Sequence, residues 1–322
     1  MVAEATTVHE GGRPATERLL DESVWETLVD SVIAGTCTPF LGAGVACPYL
    51  PTGRELAQAL ADKFEYPLND PTNLARVTQY IATLRKSPPF AKRRVQEQIE
   101  ERRNHFIATE GRPFPENYQM LANLQLPIYL TTNYDDFLTR ALSAADRRPQ
   151  VQVCRWHTQL FDELDNYPEI DPTMKEPFVF HLHGQLSIPS SLLVTEDDYI
   201  DFTVSLGQQD ADSVIPHRVR RALATTALLF VGYSLEDWNF RVLMRQLMKQ
   251  QKVQRSQAPH SYSIQLSDTN IPRDKRDKAE RFLADYLGAE TISIYWGEAG
   301  PFLKELDRRC RDERTRRQQR QI

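Results

Sequence analysis

The chain has 322 residues, of which 41% are hydrophobic and 26% charged, with a net charge of −5. This composition is ordinary for a globular protein with a sizeable core, and it argues against a protein that wraps nucleic acid. No apolar run is long enough to span a bilayer, and the polar N-terminus lacks a signal core. The scattered cysteines form no C-x-x-C pair, so they indicate neither a zinc site nor a disulfide framework. We therefore expect a cytoplasmic protein.

The first third of the chain begins with a polar stretch, residues 1–20, that is predicted to be a disordered leader. A helix is then predicted over 21–34, because its apolar residues share one face. An apolar strand at 38–41 follows and ends in two glycines one residue apart, Gly42 and Gly44. The next helix is predicted to begin near Gly53, with Thr52 as its N-cap.

The segment 42–45, Gly-Ala-Gly-Val, therefore has the pattern of a strand, a glycine turn and a helix. A glycine turn lets the backbone approach a diphosphate closely, because no Cβ stands in the way. The third glycine of G-x-G-x-x-G is missing, since Cys47 holds that place. From these residues alone, a plain strand-to-helix turn is an equal alternative.

Residues 65–125 have a different character, with charge-rich helical segments, frequent prolines and no clear strand. We predict a helical insertion that covers the site opened by the glycine turn. Its basic residues alternate with glutamates and are expected to form a solvated face. They are Lys92, Arg93, Arg94, Arg102 and Arg103.

Strands and helices alternate again after this insertion. Strands are predicted at 126–131, 151–153, 178–182, 227–231, 261–266 and 291–295, and helices at 136–145, after Thr195, at 213–225, after Ser234 and at about 273–287. Trp156, His157 and the acidic stretch 162–165 are expected to lie in a surface loop. The arginine-rich residues 307–322 are predicted to be a basic C-terminal tail, either a frayed helix or a linker.

This alternation predicts an α/β fold, a Rossmann-like parallel sheet with helices on both faces. In such sheets, ligands bind beyond the carboxyl ends of the strands. The polar strand ends are therefore expected to meet in one crevice. They lie at 42–45, 132–135, 183–184 and 232–234.

Four motifs stand in this order along the chain: G-A-G-V at 42–45, T-T-N-Y-D at 131–135, H-G-Q-L at 183–186 and G-Y-S-L-E-D at 232–237. Together they resemble the sirtuin-like (silent information regulator-type) NAD-binding fold. They resemble in particular its bacterial branch of NAD hydrolases in antiphage defence. The resemblance implies one sirtuin-like Rossmann domain over residues 21–306.

The resemblance also implies roles for individual residues. Asn133 would contact the nicotinamide ribose, and His183 would be the catalytic base; His181, two residues earlier, remains a competitor. Asp135 would orient Asn133 or, more simply, cap the following helix. The residues implied to bind the cofactor are Gly42, Ala43, Gly44, Val45, Thr132, Asp135, Gly232, Tyr233 and Ser234.

The chain departs from protein-deacylating sirtuins in three places. It lacks their zinc module of two C-x-x-C pairs, so no metal is expected. Ala46 replaces the serine that commonly follows the glycine turn, and the usual G-I-P-D-F-R run is replaced at residues 49–54. Arg54 is therefore given no catalytic role.

The resemblance implies that the chain hydrolyses NAD+ to nicotinamide and ADP-ribose, depletes cellular NAD, forms homo-oligomers and is controlled by an ATPase or an Argonaute-like partner. Neither direct nucleic-acid binding nor membrane binding is expected. A zinc-free deacylase or ADP-ribosyltransferase and a non-catalytic module that binds NAD or ADP-ribose stay open as alternatives. An NAD(P)-dependent oxidoreductase is disfavoured, because the third glycine is absent and no acidic ribose ligand stands about 20 residues on.

Overall fold

The computed structural model of the chain describes residues 20–164, 167, 171–207, 214–233, 260–265, 278 and 292–320. The described strands are β1 Cys37–Leu41, β2 Ile128–Thr131, β3 Gln150–Val153, β4 Phe178–His181, β5 Ala227–Val231, β6 Ser261–Gln265 and β7 Ile292–Trp296. They form one parallel sheet in the order β3-β4-β2-β1-β5-β6-β7. The predicted α/β, Rossmann-like fold is confirmed.

The described helices are α1 Glu22–Ile33, α2 Gly53–Lys63, α3 Leu74–Arg85, α4 Pro88–Glu110, α5 Glu116–Asn123, α6 Phe137–Ala144, α7 Thr158–Glu163, α8 Glu196–Gly207, α9 His217–Thr225 and α10 Ala299–Gln319. Single 3₁₀ turns lie at Ala43–Val45 and Pro189–Ser191. The helices predicted after Ser234 and at about 273–287 lie outside the described residues. None of the described helices is long and apolar enough to cross a membrane.

The sheet is covered on both faces, because successive residues of its central strands point to opposite sides. Leu41 and Leu229 belong to one core cluster, which includes residues of α1 to α6 and α10. Phe40 and Phe230 belong to a second cluster, which includes residues of α8 and α9. Strands β1 and β5 are fully buried in consequence, which explains why they are apolar runs in the sequence.

The order of the strands places a crevice at the carboxyl end of β1. From β1 the chain continues to β2, β3 and β4 on one side, and it then crosses to β5 on the other side of β1. In open parallel sheets, such a change of direction separates the loops that follow neighbouring strands, and ligands bind between them. The loops after β1, β2, β4 and β5 therefore form the edge at which a ligand is expected.

The predicted insertion is helical and consists of α3, α4 and α5. The expectation of a solvated basic face is wrong for Lys92, whose residue is only 9% exposed. Its Nζ lies 3.1 Å from Oδ1 of Asp198 and 5.0 Å from the ring centre of Trp156. A buried ammonium requires a partner of this kind, because burial alone would disfavour its charge. Arg93 and Arg102 are exposed as expected.

The prediction that Trp156 lies in a surface loop is also wrong. It is 3% exposed and belongs to the second core cluster rather than to a surface loop. Its indole Nε1 donates to the carbonyl oxygen of Ser191, 3.0 Å away. His157 follows it as the N-cap of α7, where its Nδ1 accepts from the backbone of Gln159.

The C-terminal helix α10 contains residues 307–319. These residues are most of the arginine-rich stretch that was predicted to be either a frayed helix or a linker. Phe302 of this helix stacks on Trp25 of α1, with ring centres 5.0 Å apart. The guanidinium of Arg314 donates to the carbonyl oxygens of Asn123 and Leu124, at 3.1 and 2.6 Å. The described part of the basic tail is thus a helix docked on α1 and on the end of α5.

The buried ion pair of Lys92 leads to the first prediction. Lys92→Met should lower the free energy of unfolding by about 3 kcal/mol, because it leaves the Asp198 carboxylate buried without its counter-charge. Arg93→Met, one position along on the exposed side of the same helix, should change it by less than about 0.5 kcal/mol. Urea denaturation of both variants measures the difference. Equal losses in the two variants would contradict the assigned role of the pair.

Candidate active site

The glycine turn after β1 packs directly against the turn after β5. The amide of Gly42 donates to the carbonyl oxygen of Val231, and the amide of Gly44 donates to that of Gly232, both at 2.9 Å. A Cβ on Gly42 would lie 2.7 Å from the Gly232 oxygen, and a Cβ on Gly44 would lie 2.9 Å from the Gly232 Cα. These glycines are therefore needed for the contact between the two turns, whatever ligand the turn binds.

The turn leaves one backbone amide available for an anion. The amides of Gly42, Gly44, Val45 and Ala46 all donate to carbonyl oxygens of the protein. The amide of Ala43 donates to no acceptor in the described ranges, and Ala43 is exposed. A diphosphate oxygen placed over this turn would meet an N–H group without a Cβ on either neighbouring residue.

Thr132 and Tyr233 use their hydroxyl groups to join the strand ends. The hydroxyl of Tyr233 donates to the carbonyl oxygen of Leu41, 2.9 Å away. It lies 2.7 Å from Oγ1 of Thr132, which therefore donates to it. The ends of β1, β2 and β5 are tied together by this pair. Ser234, the third residue expected on the adenosine side, lies outside the described residues.

Asn133 follows β2 and is 8% exposed. Its backbone amide donates to Oγ1 of Thr131 at 2.9 Å. Its side-chain Nδ2 donates to the carbonyl oxygen of Gly42 at 3.1 Å and to the hydroxyl of Tyr118 at 3.2 Å. Because both protons of Nδ2 are donated inside the protein, the orientation of the amide is defined. Its Oδ1 is then the atom that can accept a hydrogen bond from a ligand.

Asp135 lies two residues further on, at the start of α6. Its Oδ1 accepts from the backbone amide of Phe137, the first residue of α6, at 3.0 Å, whereas the N-cap position that the sequence favoured for it is held by Asp136. The residue is 5% exposed, and burial raises the pKa of its carboxyl to about 6. The hydrogen bond from Phe137 opposes this rise in pKa, because it favours the charged form.

His183 follows β4 and is 8% exposed. Its ring contacts the edges of Tyr199 and Phe202 from α8, with ring centres 5.6 and 6.0 Å away. This apolar packing lowers the pKa of His183 to about 3, so the imidazole is uncharged at neutral pH. Its Nε2 is buried and has no hydrogen-bond partner in the described part of the chain.

His181, the competitor for the role of base, has a structural partner. Its Nδ1 lies 2.9 Å from the carbonyl oxygen of Asn133. Because a carbonyl oxygen only accepts, Nδ1 carries the proton, and the lone pair is on Nε2. Burial lowers the pKa of His181 to about 4. This histidine thus holds the end of β4 against the loop that carries Asn133.

The pairing of β2 with β4 brings the two candidate catalytic residues to equivalent places. Thr131 and His181 are partners in the last rung of this pair. Asn133 and His183 each lie two residues beyond that rung. The amide of Leu182 donates to the carbonyl oxygen of Thr131 at 2.8 Å, which continues the pairing past the strand ends. Asn133, His183 and the glycine turn are therefore grouped at one edge of the sheet.

The sequence did not single out Tyr118, which lies on α5 in the insertion. It is 1% exposed, and its hydroxyl contacts Asn133. In the sequence it is one apolar position among others on an amphipathic helix, beside Leu121 and Ala122. No signal in the sequence distinguishes a core tyrosine from a tyrosine that reaches a functional side chain.

All four cysteines are free thiols. Within the described ranges, no group of three or more His, Cys, Asp or Glu side chains is arranged to hold a metal ion.

The fold and this edge define a Rossmann-like α/β protein with a candidate nucleotide-binding crevice at the carboxyl ends of its strands. A family model described as "SIR2-like domain" matches residues 127–289, about half of the chain. The chain therefore belongs to the SIR2-like domain family. The matched segment contains Asn133, His183 and the turn at Gly232, and it begins after the glycine turn at 42–45.

Several relatives carry the name NAD(+) hydrolase ThsA. The chain is 28% identical to that of Enterococcus faecium over 145 residues, which cover 45% of this chain and 27% of the relative. It is 22% identical to that of Cytobacillus dafuensis over 256 residues, which cover 76% and 44%. It is 23% identical to that of Acinetobacter baumannii over 212 residues, which cover 65% and 38%. The matched part of the chain thus spans less than half of the length of each of these relatives.

The contact between the two turns leads to a second prediction. Gly232 has a φ of +79°, and a Cβ there would lie 2.4 Å from the backbone nitrogen of Val45. Gly232→Ala should therefore lower the free energy of unfolding by at least about 2 kcal/mol. Gly53→Ala is the matched control, because a Cβ on Gly53 would meet no atom within 4 Å. Its stability, measured by urea denaturation, should not fall; if both variants lost the same amount, the turn contact would not be the cause.

The buried carboxyl of Asp135 leads to a third prediction. Its pKa is raised from 3.8 to about 6, so between these values the folded protein holds a proton that the unfolded chain has released. The parent protein therefore loses stability as the pH rises through this window. Asp135→Asn keeps an acceptor for Phe137 but does not titrate. The free energy of unfolding of this variant, relative to that of the parent, should rise by about 2–3 kcal/mol between about pH 4 and pH 7.5.

Denaturation curves at the two pH values measure this gain. Asp62→Asn, an exposed change on α2, is the control and should show a much smaller change. A gain of the same sign and size in Asp62→Asn, or no gain in Asp135→Asn, would mean that burial of Asp135 does not govern the effect.

Proposed function

We propose that this chain hydrolyses NAD+ to nicotinamide and ADP-ribose, with Asn133 and His183 as its catalytic residues. The observation that carries the proposal is the placement of these two residues at equivalent positions beyond paired strands, beside the glycine turn. Membership of the SIR2-like family and the similarity to proteins named NAD(+) hydrolase ThsA support it.

The glycine turn is the proposed site for the diphosphate. The exposed amide of Ala43 would donate to a phosphate oxygen, and Gly42 and Gly44, which have no Cβ, would let the backbone approach it; Val45 belongs to the same proposed turn. Thr132, Asp135, Gly232, Tyr233 and Ser234 complete the proposed binding set. Thr132 and Tyr233 would act chiefly by shaping the crevice, since their hydroxyl groups bond to each other and to the β1 end.

Asn133 is proposed to hold the nicotinamide ribose or the attacking water. Its Nδ2 is bonded inside the protein, so the free acceptor Oδ1 would receive a hydrogen bond from a hydroxyl group. An uncharged amide suits this place, because the ribose becomes oxocarbenium-like as the bond to nicotinamide breaks. Its contribution would be position and electrostatics rather than covalent chemistry.

His183 is proposed to be the general base. In the tautomer that carries its proton on Nδ1, the uncharged imidazole would accept a proton at Nε2 from water or from a ribose hydroxyl group. In the balanced reaction, the bond between C1′ and the nicotinamide nitrogen breaks, and its electron pair leaves with neutral nicotinamide. Water forms the new bond to C1′, and its surplus proton passes to the base and then to solvent.

The wider role follows the same resemblance. We propose a cytoplasmic effector of antiphage defence that depletes cellular NAD+, acts as a homo-oligomer and is controlled by an ATPase or Argonaute-like partner. Residues 21–306 would form the catalytic domain, with the helical insertion at about 65–125 closing the crevice. The contacts of α4 and α5 with the loops that carry His183 and Asn133 support this part of the proposal.

The experiment is a timed assay of the purified chain with NAD+, in which nicotinamide and ADP-ribose are resolved by chromatography. Asn133→Ala and His183→Ala should each lower kcat by at least about 100-fold. Asn104→Ala and His105→Ala are matched controls at exposed positions of α4 and should stay within about twofold of the parent.

Three results would contradict the proposal in different ways. Turnover that survives both site variants would assign the chemistry to other residues. Calorimetric binding of NAD+ without turnover would favour a non-catalytic binding module. Removal of the acyl group from an acyl-lysine peptide, with NAD+ consumed only when the peptide is present, would favour a zinc-free deacylase.

A further inference from the structure

We propose that Tyr118 is a positioning residue that fixes the side-chain amide of Asn133 in its reactive orientation. The inference rests on the proposed function, since it gives Asn133 its role there. Tyr118 lies on α5, so the helical insertion would complete the active site rather than only cover it.

The two protons of Asn133 Nδ2 have two acceptors from separate parts of the chain. The carbonyl oxygen of Gly42 accepts at 3.1 Å, and the hydroxyl of Tyr118 accepts at 3.2 Å. The Gly42 carbonyl oxygen can only accept, so it selects the nitrogen end of the amide, but with this bond alone the amide plane could still turn partway about its terminal bond, because that torsion has broad preferences. The Tyr118 hydroxyl removes this freedom, so Oδ1 is left to face the ligand.

The environment of Tyr118 keeps its hydroxyl protonated and in place. Burial raises the pKa of Tyr118 well above its ordinary range, and the negative charge of Asp135 raises it further. The ring packs edge-on against Phe137, with ring centres 5.6 Å apart. A neutral phenol with a fixed ring offers its oxygen to Asn133 in one geometry.

The neighbouring residue of α5 ties the same helix to the glycine turn. Nδ2 of Asn117 donates to the carbonyl oxygen of Val45 at 2.9 Å. Consecutive residues of α5 thus contact the proposed diphosphate site and the proposed catalytic amide.

The test compares Tyr118→Phe with Tyr129→Phe. Both residues are fully buried tyrosines, and each variant removes one hydroxyl group while keeping the ring. The hydroxyl of Tyr129 bonds to the backbone of Leu121 and Leu126 and has no contact with Asn133. In Tyr118→Phe, kcat for NAD+ should fall about tenfold while KM changes less than about threefold, whereas Tyr129→Phe should keep its kcat.

A double-mutant cycle separates positioning from a general loss of structure. In the Asn133→Ala background, Tyr118→Phe should lower kcat by less than about twofold, because the amide that it positions is gone. A full tenfold loss in that background would overturn the proposal. So would an equal loss of kcat in Tyr118→Phe and Tyr129→Phe.

A measurement without NAD+ keeps this inference apart from the proposed function. The side-chain amide pair of Asn133 is identified in ¹H–¹⁵N spectra by its loss in Asn133→Ala. Tyr118→Phe should shift or broaden this pair, and Tyr129→Phe should leave it in place. An unchanged pair in Tyr118→Phe would overturn the inference even if NAD+ were hydrolysed. A parent chain without turnover, but with the expected shift, would overturn only the proposed hydrolase.

Discussion

The close packing of two turns is the constraint on which the rest of the site depends. The turn at 42–45 lies against Gly232 with no room for a Cβ on either side of the contact. This approach brings the ends of β1 and β5 together, and Tyr233 then reaches the carbonyl oxygen of Leu41. The amide of Asn133 reaches Gly42 from the other neighbouring strand. A wider separation of the turns would break these hydrogen bonds as well as the contact itself.

Most polar groups at this edge are used by the scaffold. Thr132 and Tyr233 bond to each other, Asp135 accepts from the first residue of α6, and Nδ1 of His181 donates to the backbone of Asn133. Only a few polar groups at this edge have no hydrogen-bond partner in the described ranges. They are the amide of Ala43, Oδ1 of Asn133 and the Nε2 atoms of His181 and His183. Buried polar groups without partners are rare in folded proteins, so such atoms are where a ligand is expected to bind.

The central strands β1 and β5 were predictable from the sequence because they are buried on both faces and are therefore apolar runs; residues 227–231 are the clearest case. The N-cap at Thr52 was predictable because a capping box is local chemistry. The burial of Lys92 was not predictable, since its partner Asp198 lies far along the chain. The role of Tyr118 was also missed. Asn133 is only 15 residues further along the chain, but the contact between them exists only once α5 packs beside the loop that follows β2.

The packing of His183 sets a condition on any reaction at this site. Contact with Tyr199 and Phe202 excludes water from the imidazole, which keeps it uncharged but also makes it a weak base, with a pKa of about 3. A base works best when its pKa lies near the working pH. Polar groups of a bound ribose would replace part of the apolar contact and would raise this pKa toward its ordinary value. The imidazole would then gain basicity only when a substrate is present, and an empty site would hold it as a neutral acceptor.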